Sequence, residues 1–394
     1  MNEKVIYVSW MPLTKKVSND WYIDYLISKD QTVEYWDVSY LLRGELNQTR
    51  TINPCYLYTI RTYREVKKKL QLPENRDTLF VMLISYDGMR ASFYRLFSKK
   101  SCRMLYIRWG SQPTISVSKS QKIISRLLNP FSLIVDIYYL IKGRLYQKLN
   151  LVRPFEIVFA AGQNSMKNNY SNKVVPINLC DFENHRKAFL ESKRLVDGMY
   201  AVYLDVYLPF QSDLEMHGMH PLTAELYFAS LNHFFQLIEE KYKLKVVIAA
   251  HPKADYHSDV FNGREVIYGC TPDLVKDSEC VIAEMSTAIS YVVMDYKPVF
   301  FVHNDEMNNI YENSVMNDIR AIAESLGEPV YNSDRLKDCS QINDPKISKE
   351  LYDNYKYLYI TSPESENVES SEIFHSEITG LFTTINNTHY EKAN

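Results

Sequence analysis

The chain has 394 residues, which is long enough for two domains with separate hydrophobic cores. Its hydrophobic fraction of 46% and its charged fraction of 24% are ordinary for a soluble globular protein. A formal net charge of −3 excludes any general argument for nucleic-acid binding or for electrostatic capture of the whole protein by a membrane. The 31 tyrosines, beside only 11 glycines, predict rigid, aromatic-rich packing.

The cysteine pattern and the apolar runs predict a cytoplasmic protein. The six cysteines are scattered, with no CxxC and no zinc-like spacing, so reduced thiols are expected. The apolar run at residues 5–8 is too short for the core of a signal peptide. The longest apolar stretch, residues 131–141, contains Asp136 and is too short to span a bilayer.

Strands and helices alternate through the first half of the chain. Helical periodicity is found at residues 21–27 and 63–70. The predicted strands are residues 5–8, 32–36, 56–60, 78–85, 104–107, 156–160 and 173–177. This β-α-β alternation predicts an α/β domain with a doubly wound sheet.

Residues 115–151 interrupt that alternation with a basic and apolar segment. Six cations flank the apolar core SLIVDIYYLI, namely Lys119, Lys122, Arg126, Lys142, Arg144 and Lys148. One interpretation is a helical insertion that packs on the domain. The other is an interfacial helix pair that faces a membrane-borne acceptor, since basic amphipathic helices suit anionic lipid surfaces.

The second half repeats the α/β pattern. A strand at 200–204 precedes a long helix at 221–243, whose expected buried face includes Leu226, Ala229, Phe234 and Ile238. Three apolar runs at 246–250, 280–283 and 299–302 then alternate with helical segments. Helices are predicted at 314–325 and 349–359, with a short extended piece at 329–331. We therefore expect two Rossmann-like domains that face a central cleft, residues 1–190 and 191–360, followed by a polar tail, 361–394.

Polar residues follow two of the buried strands in the second domain, where an open α/β sheet binds its ligands. His251-Pro252 comes after the 246–250 strand, and the imidazole could donate to a phosphate oxygen or belong to an ordinary loop. Ser286-Thr287 comes before an apolar helix at 288–294. These hydroxyls either cap that helix or also help its N-terminus to bind phosphate. Glu284 could face a sugar or ribose hydroxyl, or be a solvated loop residue.

The segment Tyr268-Gly269-Cys270-Thr271 precedes a helix at 272–277, with Thr271 expected as its N-cap before proline. It could border a nucleobase. The complete predicted donor-binding set is His251, Pro252, Lys253, Tyr268, Gly269, Thr271, Glu284, Ser286 and Thr287.

Asp87-Gly88 follows the strongest strand of the first domain. A carboxylate there could take a proton from an acceptor hydroxyl, although Asp-Gly is also an ordinary turn. Further acceptor-side candidates are Trp10, Trp109 and Asp205. The chain has no GxGxxG, P-loop, GxSxG or HExxH motif, and no metal site or cofactor is expected.

At these residues the chain resembles GT-B glycosyltransferases of bacterial capsule and lipopolysaccharide synthesis. It is most similar to the sialyltransferase-like and Kdo-transferase-like enzymes that use CMP-activated acidic sugars. Their HP motif corresponds to His251-Pro252, their hydroxyl pair to Ser286-Thr287, and their acidic-glycine motif to Asp87-Gly88, where this chain has one carboxylate instead of two.

The resemblance implies a metal-independent transferase in which His251 and the hydroxyl pair hold the donor phosphate and Asp87 is the general base. A glycan or lipid-linked glycan would be the acceptor, with peripheral contact at the inner face of the cytoplasmic membrane. Two alternatives stay open at this stage. One is a GT-B transferase or an epimerase that uses UDP- or GDP-hexose, and the other is a catalytically silent GT-B-like scaffold that binds a glycan.

Overall fold

The computed structural model describes residues 3–46, 52–114, 130–191, 194–210 and 220–393. These residues form two compact units. The first unit holds the described residues up to Trp109, those from 130 to Asn178, and those from Pro363 onward. The second holds residues 110–114 and the described part of Leu179–Ser362. Residues 115–129 of the predicted helical insertion lie outside the described residues.

The first unit is built on a seven-stranded parallel sheet with the order β3-β2-β1-β4-β5-β6-β7. Its strands are β1 Lys4–Ser9, β2 Thr32–Asp37, β3 Leu57–Thr59, β4 Leu79–Met82, β5 Arg103–Arg108, β6 Phe155–Ala161 and β7 Ser171–Ile177. The strand order reverses between β1 and β4, where Val5 pairs with both Val33 and Leu79. In open α/β sheets, ligands bind at the carboxyl ends of the strands at such a reversal.

Helices connect these strands: α1 Lys15–Asp20, α2 Ile23–Ser28, α3 Ser39–Arg43, α4 Tyr63–Lys69, α5 Ala91–Lys99, α6 Pro130–Lys148 and α7 Gln163–Met166. The helix expected at 21–27 is α2, which begins at Ile23 because its N-cap residue Tyr22 has a positive φ of 63°; the short helix α1 before it was not predicted. The strand predicted at 78–85 is shorter, because the chain after Met82 leaves the sheet as a loop.

The second unit contains a six-stranded parallel sheet with the order β10-β9-β8-β11-β12-β13. Its strands are β8 Tyr200–Leu204, β9 Lys245–Ala250, β10 Val266–Tyr268, β11 Cys280–Ala283, β12 Val299–His303 and β13 Val330–Asn332. Here the order reverses between β8 and β11, both of which are buried along their whole length. Strands covered on both faces need continuous apolar runs, which is what YAVYL and CVIA supply.

The helices of this unit are α8 Cys180–Glu191, α9 Ala224–Tyr242, α10 Thr271–Asp277, α11 Ile289–Met294, α12 Asp305–Tyr311, α13 Val315–Leu326 and α14 Lys349–Tyr355. The last of them continues into a π-helical turn, Lys356–Ile360. The boundary between the units falls after Asn178. The sequence pattern predicts it near residue 190.

The segment expected to be a polar tail is helical and belongs to the first unit. Helix α15 spans Ser370–Ala393, and Phe374 packs against the rings of Tyr22 and Phe159. The buried Asn178, at the end of β7, ties the start of this segment down. Its backbone N–H donates to Ser370 Oγ at 2.9 Å, and its side-chain amide donates to the Ser365 carbonyl at 3.1 Å.

Buried tyrosines account for part of the unusual composition. Tyr7 and Tyr35 lie in the core of the first unit, and Tyr200 lies in that of the second. Each hydroxyl donates to a backbone carbonyl that belongs to a loop or a helix end, at 2.8–2.9 Å. A tyrosine therefore supplies a large apolar ring to the core and a fixed contact to a neighbouring segment.

Candidate active site

Two buried carboxylates mark the strand-order reversal of the second sheet. Asp205 follows β8 and is 5% exposed, while Glu284 follows β11 and is 1% exposed. Carboxylates are seldom buried this completely unless they are hydrogen-bonded or neutralised. Their position at the carboxyl ends of the two central strands is where this class of sheet binds ligands.

Asp205 connects β8 to the loop after β9. Its carboxylate accepts hydrogen bonds from the backbone N–H of His251 at 3.0 Å and of Tyr207 at 2.8 Å, and from the hydroxyl of Tyr256 at 2.8 Å. Burial raises the pKa of Asp205 above its ordinary value, although these donors oppose the shift. Asp205 is a predicted acceptor-side residue, and its contacts also hold the backbone of His251.

Glu284 is held by two phenols. Its Oε2 accepts from the Tyr203 hydroxyl at 2.8 Å and from the Tyr227 hydroxyl at 2.5 Å, while Oε1 has no hydrogen-bond partner among the described residues. Burial raises the pKa of Glu284 to about 7, against the opposing effect of the two phenols and with a further increase from the charge of Asp205. The carboxyl is therefore not a solvated loop residue.

His251 lies at the end of β9 with one ring nitrogen engaged locally. The backbone N–H of Lys253 donates to His251 Nδ1 at 3.2 Å. A neutral imidazole that accepts at Nδ1 carries its proton on Nε2, so Nε2 is the hydrogen-bond donor. The Tyr207 ring lies parallel to the imidazole, with an interplanar angle of 8°. Pro252 and Lys253 are solvent-exposed neighbours in the same loop.

The Ser286-Thr287 pair lies between β11 and α11, as expected, but it does not cap the helix in the expected way. The helix begins at Ile289, and its N-cap residue is Ala288, which has no side-chain capping bond. The buried Ser286 hydroxyl accepts from the backbone N–H of Ala288 at 3.3 Å, and its carbonyl accepts from Gln112 at 3.4 Å. Thr287 is exposed.

The segment after β10 differs from its prediction in one respect. Helix α10 already includes Thr271, and its N-cap is Cys270, so the N-cap role assigned to Thr271 is wrong. Gly269 has a φ of +73°, a left-handed conformation that favours glycine. Tyr268, which ends β10, is half-exposed and lies one strand beyond β9 in the sheet.

The first unit gathers its candidates at the ends of β1 and β4. Asp87 accepts the backbone N–H of Arg90 at 2.8 Å and forms an ion pair with the Arg90 guanidinium. That guanidinium lies over the Trp10 ring, 4.2 Å from its centroid. Asp87 therefore starts the turn into α5, and its use as a base requires it to leave Arg90 or to act beside it.

Two further first-unit candidates have structural contacts. A Cβ on Gly88 would lie 1.7 Å from the Tyr139 carbonyl oxygen, so the backbone of α6 contacts this glycine directly. Trp109 stacks on Trp21 with the centroids 4.1 Å apart, and its indole N–H has no partner among the described residues. Within the described ranges, no group of three or more His, Cys, Asp or Glu side chains could hold a metal ion.

Several contributing residues were not anticipated from the sequence. They are Arg90, Gln112, Tyr203, Tyr207, Tyr227 and Tyr256. Tyr203 offered one signal, because a polar atom in the buried strand YAVYL must find a partner. Tyr227 offered none, since the expected buried face of α9 did not include it.

No protein-family model matches the chain, and no curated protein matches its sequence. Among solved structures, the chain is similar to the wall teichoic acid polymerase TagF, with a TM-score of 0.51 and 10% identity over 98% of this chain and 90% of that one. It is equally similar to CalG4, the calicheamicin glycosyltransferase, with a TM-score of 0.51 and 10% identity over 98% and 99%. The chain has a GT-B fold. At this identity the likeness concerns the fold alone, and it agrees with the two Rossmann-like units expected from the sequence.

Proposed function

We propose that this GT-B protein is a glycosyltransferase of bacterial surface polysaccharide synthesis that uses a nucleotide-sugar donor. The observation that supports this most directly is the arrangement at the reversal of the second sheet. There, Asp205 positions the backbone of His251, Lys253 directs the imidazole tautomer, and Glu284 is buried alongside. TagF and CalG4, which share the fold, are named as a teichoic acid polymerase and a glycosyltransferase.

In the proposed reaction, an acceptor hydroxyl displaces the nucleotide at the anomeric carbon of the donor. The new bond joins the acceptor oxygen to that carbon, and the bond from the carbon to the phosphate oxygen breaks. The electron pair leaves with the nucleotide, whose phosphate is stabilised by the Nε2 proton of His251 and by the loop at Ser286 and Thr287. The acceptor proton passes to Asp87. No metal ion or cofactor takes part in this scheme.

We favour a CMP-linked acidic sugar as the donor, on the resemblance of the HP and hydroxyl-pair motifs. A glycan or lipid-linked glycan is the proposed acceptor, and the protein would act in the cytoplasm, in contact with the inner face of the membrane. The alternatives are a UDP- or GDP-hexose transferase or epimerase, and a silent scaffold that binds a glycan.

Thermal unfolding with CMP, UDP or GDP tests the donor site. A ligand at about 100 times its Kd stabilises the folded state by about 2.7 kcal/mol, which shifts the Tm by roughly 5–10 °C for a domain of this size. We expect CMP to give that shift in the wild type and His251→Ala to lose it. His257→Ala is the matched control, because His257 is an exposed histidine in the next turn of the same loop.

The outcomes separate the alternatives. A shift with UDP or GDP in place of CMP would change the donor class, and a shift that survives in His251→Ala would remove the phosphate role of this residue. No shift with any of the three would contradict an active transferase and favour the silent scaffold. Asp87→Asn should keep the nucleotide-induced Tm shift and lose the glycosyl transfer activity. This result would separate the role of Asp87 as the base from donor binding.

A further inference from the structure

Helix α6, Pro130–Lys148, presents an apolar face to solvent. The exposed fraction is 65% for Ile134 and 58% for Ile141. From residue 133 onward, the exposed apolar side chains of the helix are Ile134, Ile137, Tyr138, Leu140, Ile141 and Leu145. Ile134, Ile137, Ile141 and Leu145 recur at the three- and four-residue spacing that aligns side chains along one helical face. A contiguous apolar surface of this kind marks an interaction site.

The opposite face of α6 is the one that packs on the first unit. Gly143 is buried, and a Cβ on it would lie 3.1 Å from the backbone nitrogen of Gly88. The Tyr86 hydroxyl donates to the Gly143 carbonyl at 2.8 Å, and Tyr146 packs against the hydrophobic core. The helix is therefore anchored by one face while a second apolar face is left outward.

The charges along α6 are mostly positive. Its sequence contains Lys142, Arg144 and Lys148 but only one acidic residue, Asp136. Arg144 and Lys148 project in the same directions as Ile137 and Ile141, given 100° per residue. Long cationic side chains can reach past buried apolar neighbours to a polar surface. This combination complements a layer that is apolar inside and anionic at its surface.

We propose that α6 is a membrane-docking helix that lies in the headgroup region of an anionic bilayer, with Ile134, Ile137, Ile141 and Leu145 in the acyl boundary. At 1.5 Å per residue the helix is about 28 Å long, enough to lie along the surface with several side chains inserted. Within the described ranges, no helix is both long and apolar enough to cross a membrane.

The location of α6 deepens the proposed function, on which this part of the inference rests. The helix contacts Gly88 directly, and Gly88 follows the proposed base Asp87. Met89, the next residue, is 60% exposed. A bilayer on the outer face of α6 would therefore lie about one helix diameter, roughly 10 Å, from the Asp87 loop, and a lipid-linked acceptor could extend past the helix to present its hydroxyl there.

A second copy of the chain is the less favoured occupant. Pairing two α6 faces would bring Arg144 and Lys148 of each copy into one interface, whereas Asp136 lies on the other side of the helix. Like charges that lose solvent in an interface oppose association. An anionic lipid surface meets the same cations with opposite charge.

Flotation of the full chain with phosphatidylcholine vesicles, with and without 30 mol% phosphatidylglycerol, tests the inference. We expect binding to the anionic vesicles and a decrease in that binding as salt rises. The double variant Ile137→Glu/Ile141→Glu should lose this binding. Leu190→Glu/Leu226→Glu should keep it, because these leucines are at least as exposed as the isoleucines but belong to the second unit. Arg144→Gln/Lys148→Gln should bind about 25-fold more weakly, since each cation near an anionic surface contributes about fivefold.

Three outcomes would overturn the inference: no flotation of the wild type, equal flotation of the α6 and control variants, or a lipid-free dimer that Ile137→Glu/Ile141→Glu converts to a monomer. Nucleotide-induced thermal shifts on the same variants keep the two proposals distinguishable. A variant that still responds to nucleotide but no longer floats is folded and has lost only the membrane surface. A wild type that floats but responds to no nucleotide contradicts the proposed transferase alone.

Discussion

Replacing Glu284 with glutamine removes a buried carboxyl whose pKa is raised by burial from 4.5 to about 7. The folded protein holds this proton more tightly than the unfolded chain, so the folded state gains protons relative to the unfolded state between these two values. The contribution of Glu284 to stability is therefore most favourable below pH 4.5 and is lost as the pH rises to 7. One pH unit inside this window corresponds to about 1.4 kcal/mol.

The same two pKa values give the size of the effect. Between pH 5 and pH 8 the free energy of unfolding of the wild type should fall by about 2.5 kcal/mol relative to that of Glu284→Gln. The amide brings an N–H₂ group toward the Oε1 position, which has no partner among the described residues. An unsatisfied donor costs about 1–3 kcal/mol, but this cost does not depend on pH. The informative quantity is therefore how the difference in free energy of unfolding between the wild type and Glu284→Gln changes with pH, and not the size of that difference at one pH.

Urea unfolding at pH 5, 6, 7 and 8, followed by fluorescence, measures that difference. Glu312→Gln is a control, because its side chain is exposed and its replacement removes no buried charge, so it should follow the wild type. Tyr227→Phe removes a donor that favours ionised Glu284 and should extend the loss of stability to higher pH. If the difference in free energy of unfolding between Glu284→Gln and the wild type stays constant within about 0.5 kcal/mol from pH 5 to pH 8, the pKa of Glu284 is not raised in the folded state.

Three further predictions concern packing and backbone. Gly88→Ala should destabilise the first unit by about 2–3 kcal/mol in urea unfolding, because its Cβ would overlap the Tyr139 carbonyl. An unchanged midpoint of the urea transition would contradict the close contact. Phe374→Ala should cost about 3–5 kcal/mol and make α15 sensitive to protease, since its ring packs on Phe159; wild-type protection would argue against a docked helix. Gly269→Ala should lower the stability by about 1 kcal/mol through its positive φ alone, because no atom lies within 4 Å of the added methyl group. A much larger loss of stability in thermal unfolding would contradict the open surroundings.

The sheet was the part of the fold that the sequence predicted best. The strands expected at 200–204 and 280–283 are β8 and β11 without any change of bounds. Their runs are short, continuous and apolar, which is the pattern of a strand covered on both faces. By contrast, β10 is three residues long and only partly buried, so its hydrophobic pattern carries too little signal.

The orientation of helices was harder to predict. Residues 224–242 were correctly expected to be helical, with Phe234 and Ile238 buried, but Leu226 and Ala229 are exposed and Tyr227 is buried in their place. The helix is apolar around much of its circumference, so a rotation by one residue satisfies the sequence almost equally well. That rotation decides whether Tyr227 reaches Glu284.

The C-terminal helix was missed for a different reason. Its polar composition hid an apolar series at Phe374, Ile378, Phe382 and Ile385, all of which are buried against the first unit. The spacing of four, four and three residues is helical, and it was present in the sequence. What the sequence could not supply was the partner surface, which includes Tyr22 and Phe159 in the first half of the chain.

The candidate site was predicted in part. Positions after β9 and β11 follow from strand prediction, because parallel strands end at one edge of the sheet. The phenol pair on Glu284, the tautomer of His251 and the Arg90 partner of Asp87 depend on side-chain contacts between segments far apart or on local turn geometry. No motif encodes them, and the roles assigned to His251, Ser286, Thr287 and Asp87 stay predictions.

The hydrogen-bonded contact between Asn178 and Ser370, which holds the C-terminal segment on the first unit, has a consequence for synthesis on the ribosome. The second unit is encoded almost entirely before α15, whereas the first unit needs Phe374 and its neighbours to complete its core. The nascent chain must therefore hold an unfinished first sheet, with the apolar surface around Phe159 and Tyr22 uncovered, while the whole of the second sheet emerges. The unit whose strands are translated first is thus completed last, and during that interval its uncovered apolar surface is prone to aggregation.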